Sequence, residues 1–158
     1  MTSDTLTAVQ ILLKKHKTLT LATCADGRPW AASLYYVNDD NLNLYFVSDP
    51  ETRHARELRV NPEVAITINA DRHRWPRLRG LQLRGRAKVV SRKTHDIVLA
   101  LYLERFGDIA ALFSSPQGSQ ERKIAERLAS GTFFQITPNW IRLIDNREGF
   151  GFREEIEI

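Results

Sequence analysis

Asp49, Pro50, Glu51, Thr52, Arg53, His54, Ala55 and Arg56 put a hydroxyl, a guanidinium and an imidazole into what reads as the first turns of a helix. A helix start suits an anion, because its unpaired N–H groups and the positive end of its dipole favour a phosphate. Ser48 or Asp49 can cap it, Pro50 fits the first helical position without wasting a donor, and Arg53 can add a bidentate contact. A plainer reading stands beside this one: Asp49 and Glu51 complement the dipole, and Arg53, His54 and Arg56 form a solvated face. Elsewhere there is no G-x-S-x-G, no Gly-rich phosphate loop and no carboxylate pair beside a nucleophile. Cys24 is the only cysteine, and the four histidines are scattered, so neither a disulfide nor a metal site is expected. His16, His73 and His95 read as surface or helix-end residues.

Hydrophobic periodicity supplies the elements around this segment. Leu6, Val9, Leu12 and Leu13 recur at helical spacing behind Ser3 or Asp4, with Lys14, Lys15 and Lys17 at the C-terminal end. Leu19, Leu21 and Thr23 then alternate with polar neighbours as in a half-buried strand, and Asp26 to Pro29 is turn chemistry. Trp30 to Val37 and Leu42 to Val47 read as the next two strands, and the three are expected to form a meander. Pro62 stops the helix that starts after Ser48. Val64, Ile66 and Ile68 mark a fourth strand, and Leu81 to about Val90 a fifth, with a bulge at Gly85. Helices are expected over Thr94 to Phe106 and Gln120 to Leu128, the latter closed by Gly131, before strands at Thr132 to Ile136 and Trp140 to Ile144. Short strands with polar faces and turn-rich spacing point to an antiparallel barrel.

With 158 residues, 42% hydrophobic and 27% charged, the chain fits a single domain over 1–158. Its N-terminal apolar stretch is short, amphipathic and followed by lysines, unlike a signal peptide or a membrane span, so a cytoplasmic protein is expected. The net charge of +4 is concentrated between Arg72 and His95, where no acidic residue occurs. Such a run suits an anionic partner, but Trp75 is its only aromatic and no nucleic-acid-binding signature accompanies it, so nucleic acid ranks last among the partners considered. Trp30, Leu34, Tyr35, Tyr36, Leu42, Leu44, Tyr45 and Phe46 place apolar groups on both faces of their strands. One barrel interior covers one face, and a two-fold homodimer is expected to cover the other.

Taken together, the turn after Ala25, the TRHA helix start, the NP stop, the RGLQLRG strand and the closing LIDNREGFGF resemble the pyridoxamine 5'-phosphate oxidase-like family, and within it the YhbP-type proteins. The resemblance covers nearly the whole chain. It implies a mainly β, α+β fold, a six- to seven-stranded antiparallel split β-barrel with flanking helices, and FMN held in a cleft shared by two subunits. It places Ser48, Thr52, Arg53 and His54 around the flavin phosphate, adds Val47 to the cofactor-binding residues, and sets the backbone at Ser33, Leu34 and Tyr35 against the isoalloxazine ring and Gln82 at the ring's polar edge. An oxidoreductase or flavin reductase acting on a small molecule is the function it implies, with a non-catalytic flavin- or haem-binding protein as the alternative. Two departures argue against pyridoxine-phosphate oxidation itself. Ala32 and Val37 stand where the oxidases carry basic residues on the second strand, and the acidic REEIEI replaces their basic C-terminal strand.

Overall fold

One antiparallel sheet organises the chain. The structure, a computed structural model, describes residues 3–71 and 74–158; Arg72 and His73, part of the basic run, lie outside the described residues. The strands are β1 (Thr18–Ala25), β2 (Arg28–Tyr35), β3 (Val37–Asn38), β4 (Leu44–Ser48), β5 (Glu63–Asn69), β6 (Arg79–Val89), β7 (Thr132–Asp145) and β8 (Arg153–Glu157). They lie in the order β2-β1-β5-β6-β7-β4-β3, with β8 on β7. Because β2 and β3 stand at opposite ends of that order yet are joined by Tyr36 alone, the sheet must curl round on itself. This is a split barrel.

The expected meander is corrected here. β1 and β2 form a hairpin, but the chain crosses at Tyr36 and β4 pairs with β3 and β7 instead of β2. Tyr36 is fully buried, and its hydroxyl donates to the Leu13 carbonyl at 2.9 Å, which pins the crossing to the first helix, α1 (Ser3–Lys15). Other boundaries also move. Asp49 to Thr52 is a turn, with the Asp49 carboxylate accepting from the Glu51 N–H, so α2 begins at Arg53 and runs to Val60. The two strands expected after Gly131 are one, β7, in which Asn139 is an extra residue opposite the Arg84/Gly85 step. The bulge expected at Gly85 lies there, and a Cβ on Gly85 would strike the Thr137 carbonyl oxygen and sit 2.9 Å from the Pro138 Cα. Besides α3 (Arg92–Arg105) and α5 (Ser119–Ser130), the chain forms α4 (Gly107–Ser114), which sequence periodicity left as a connection.

Two apolar clusters result. Val9, Leu12 and Leu13 of α1 enter the barrel interior with Leu21, Phe46, Ile66, Leu83 and Ile141. Outside it, Val37, Tyr45 and Phe133 are covered by Val98, Tyr102 and Phe106 of α3 and its C-cap. The second face of β3 and β4 is therefore closed within the chain itself. Of the residues expected to need a partner, Trp30 and Tyr35 stay well exposed, at 40% and 56%.

Candidate functional site

The N-terminus of α2 gathers the predicted phosphate group. Ser48 ends β4 opposite Thr132, and the Asp49 turn brings Thr52 back to it as the helix N-cap. Thr52 makes no side-chain cap bond; its hydroxyl instead donates to the Asp49 carbonyl at 2.8 Å. The first-turn N–H groups are thus left for an external acceptor. His54 Nε2 lies 2.7 Å from Ser48 Oγ and 3.1 Å from Thr52 Oγ1, and the two hydroxyl oxygens are 3.1 Å apart. These three side chains lie within hydrogen-bonding distance of one another, with Thr52 the acceptor because its proton goes to Asp49. No carboxylate hydrogen-bonds His54 among the described residues, so the Ser48–His54 contact lacks the orienting acid of a hydrolytic triad.

Arg53 is held on two sides. Its guanidinium stacks 4.5 Å from the Trp30 ring centroid, and its Nε donates to Glu57 Oε1 at 2.7 Å, the i to i+4 spacing of a helix. Glu57 is itself buried and anchored through Oε2 by the Thr23 hydroxyl at 2.6 Å. Hydrogen bonds from Thr23 and then Arg53 hold the Glu57 carboxyl below the ordinary glutamate range. Both Nη groups of Arg53 remain for a ligand. Of the residues given to a solvated face, Arg56 is exposed, but Arg53 is clamped and His54 is buried.

Burial pushes the His54 imidazole below its usual value, with the Glu57 charge pulling partly back. The unfolded chain then takes up its proton first as pH falls below about 6.5, so His54 stabilises the fold above that pH and the contribution is lost toward the lower folded value. Thermal unfolding from neutral to mildly acidic pH is expected to fall less steeply for His54→Gln than for the parent chain. Parallel slopes would show that His54 titrates as it does when unfolded.

The remaining predicted residues divide. Val47 lies beside Ser48, where α5 closes a cleft of about 440 Å³ lined also by Ile124, Arg127 and Gly131. Sequence reading missed Arg127, which sits one helical turn from Ile124 on a helix whose partner was unknown, and it missed Glu57, although the Arg53 spacing marks it. Ser33 and Tyr35 are exposed on β2, and Leu34 turns inward onto the core. β2 is an edge strand, so one side of its backbone is open. Gln82 is not brought to the phosphate group. It lies in a row running Ser33, Thr20, Thr67, Gln82, Arg142, and accepts from Arg142 Nη1 at 3.2 Å. On β7, Arg142 is about 33 Å of strand from Thr132, the partner of Ser48.

Residues 6–145 match the family model of pyridoxamine 5'-phosphate oxidase. The chain belongs to that family. It is 30% identical over 149 residues to the YhbP protein of Salmonella paratyphi C, covering 94% of this chain and 90% of the relative. Among solved structures, the haem storage protein HutZ from Vibrio cholerae superposes with a TM-score of 0.65 at 25% identity, over 84% of this chain and 88% of that one. A FAD-binding protein from Mesorhizobium loti gives 0.63 at 20% identity, over 89% and 92%. Proteins that share this split barrel thus include a haem storage protein and a FAD-binding protein. No helix among the described residues is long and apolar enough to cross a membrane.

Proposed function

We propose that the chain binds FMN and uses it in oxidoreduction of a small molecule, in a homodimer whose two subunits share each flavin. The observation that carries this reading is the N-terminus of α2, where Ser48, Thr52, His54 and the Nη groups of Arg53 offer a cradle to one phosphate. The Arg53 Nη groups and the first-turn N–H groups supply the donors, neutral His54 holds the two hydroxyls in place without burying a second charge, and the Trp30 face keeps the guanidinium plane fixed. The bound flavin would supply electron transfer; the chain's own residues bind, orient and exclude water. Haem is the less favoured occupant, because His54, the imidazole at the site, is already committed to two hydroxyls. A visible absorption spectrum of the purified protein tests this: a flavin spectrum supports the reading, and a haem spectrum or failure to take up added FMN overturns it.

Gln82 supports the shared site. Within one subunit it lies far from Ser48, but it faces outward in a row with Ser33, beside the small and open Ala31 and Ala65. A second subunit seated on that face could bring its Gln82 to the first subunit's flavin. If so, ligand favours the dimer by mass action, and FMN at ten times its Kd should lower the dimer dissociation constant by about tenfold per site. Sedimentation across a dilution series, with and without FMN, checks this. A monomer that binds FMN as tightly as the concentrated protein does would end the shared-site model.

A further inference from the structure

Lys15 at the end of α1, Arg77 in a 3-10 turn, Arg79 at the start of β6 and Arg147 after β7 line one cavity of about 360 Å³. It lies at the opposite end of the barrel from α2. Helix α2 leads into Glu63, which pairs with Arg86, about 23 Å of strand from Arg79. Two of the four cations are fixed: Arg79 Nε donates to Asp145 at 2.8 Å, and Arg147 Nη2 reaches the same carboxylate at 2.7 Å. Lys15 and Arg77 form no salt bridge among the described residues. Four cations thus line one cavity; Asp145 binds two of them, Glu148 acts on Arg147 from the neighbouring cavity, and Lys15 and Arg77 stay free of ion pairs among the described residues. That excess calls for a ligand with more than one negative charge.

The 3-10 turn and the segment after β7 also carry flat apolar rings. Asn146 joins them, its Nδ2 donating to the Trp75 carbonyl at 2.8 Å and its N–H to that of Leu78 at 2.9 Å. Trp75 and Phe150 meet edge to face at 5.5 Å, yet remain 65% and 84% exposed. Exposed aromatics beside a cation cluster suit a ligand that joins a planar ring to phosphates. Arg79 and Arg147 also border a second cavity of about 440 Å³ whose lining includes Asp4, Glu148 and Glu154. Those carboxylates repel phosphate and can accept from sugar hydroxyls.

We propose that this end of the barrel binds a nucleoside di- or triphosphate. The phosphates lie among Lys15, Arg77, Arg79 and Arg147, the ribose hydroxyls turn to the carboxylates of the second cavity, and the base rests on Trp75 and Phe150. The cations are gathered at one cavity instead of being strung along a groove, which suits a single mononucleotide over a nucleic-acid strand.

Calorimetry on the full chain tests it with ATP, with inorganic triphosphate as the ring-free probe and with a single-stranded RNA as the competing ligand. ATP should bind. Combining Lys15→Glu with Arg77→Glu should weaken ATP and triphosphate alike, by about tenfold for each lost contact. Trp75→Ala should weaken ATP and leave triphosphate unchanged. Arg79 and Arg147 are left in place, because Asp145 depends on them. FMN uptake should be the same in these variants, so failure here leaves the flavin reading standing. No ATP binding, equal binding by the doubly reversed variant, or RNA binding tighter than ATP would each overturn the nucleotide site.

Discussion

Arg53→Ala is expected to weaken FMN binding by about tenfold to a hundredfold and to leave riboflavin nearly unchanged, since a charge-assisted contact contributes roughly 1.5 to 3 kcal/mol. The selectivity follows from geometry. Nε is occupied by Glu57 and the flat side of the guanidinium by Trp30, so the Nη edge is what remains for a phosphate. Riboflavin has no phosphate to lose. Arg53→Lys should fall between the two, because an ammonium keeps the charge but not the fork or the stack. Fluorescence titrations of both ligands against all three proteins measure this, and equal losses for FMN and riboflavin would remove Arg53 from the phosphate site.

How far the sequence discloses such a site depends on whether its signals are local. The barrel strands were legible where alternation meets one buried face: β1 buries Leu19, Leu21 and Thr23, and β5 buries Val64, Ile66 and Ile68. Helix α2 was legible from its proline stop and its capping residues, but its start moved by three residues because Asp49 closes a turn before Thr52 takes the cap. Strand partners were not legible. Periodicity places Leu44 and Phe46 on a strand without saying that β4 lies beside β7, and the crossing depends on Tyr36 reaching Leu13. The gap expected between Ile136 and Trp140 holds Pro138, and the bulge at Asn139 carries the chain through it as one strand. β8 buries only Ile156 among glutamates, so its pattern is that of a solvated tail until β7 is there to pair it. The site was half legible for the same reason: Ser48, Thr52, Arg53 and His54 are close in sequence, whereas Thr23 and Trp30, which hold Glu57 and Arg53 in place, arrive through the fold.

Asp145→Ala should cost about 3 to 5 kcal/mol of folding stability, the usual result of removing one partner from a buried ion pair. The carboxyl is 3% exposed at the end of β7 and accepts from Arg79 Nε, from Arg147 Nε at 2.9 Å and Nη2, and from the Arg147 N–H at 3.2 Å. Arg147 can turn to water, its side chain being half exposed, but Arg79 has only 14% of its side chain in solvent and is fixed opposite Asp145 by the β6–β7 register. The variant therefore strands one guanidinium. Removing both, as in Asp145→Ala with Arg79→Leu, should recover much of the loss, because the desolvated charge goes with its partner. Urea denaturation of the two variants reads the difference as a shift in midpoint at constant slope. The pH dependence has a definite sign. Burial raises the Asp145 pKa, but the contacts with Arg147 and Arg79 outweigh it and hold the group below the ordinary aspartate value. The contribution is thus present above about pH 4, the unfolded value, and is lost as pH falls toward the folded one, because the unfolded chain binds the proton first. The parent chain should show that acid loss and Asp145→Ala should not; a stability loss under about 1 kcal/mol, with the acid limb unchanged, would mean that water already screens the pair.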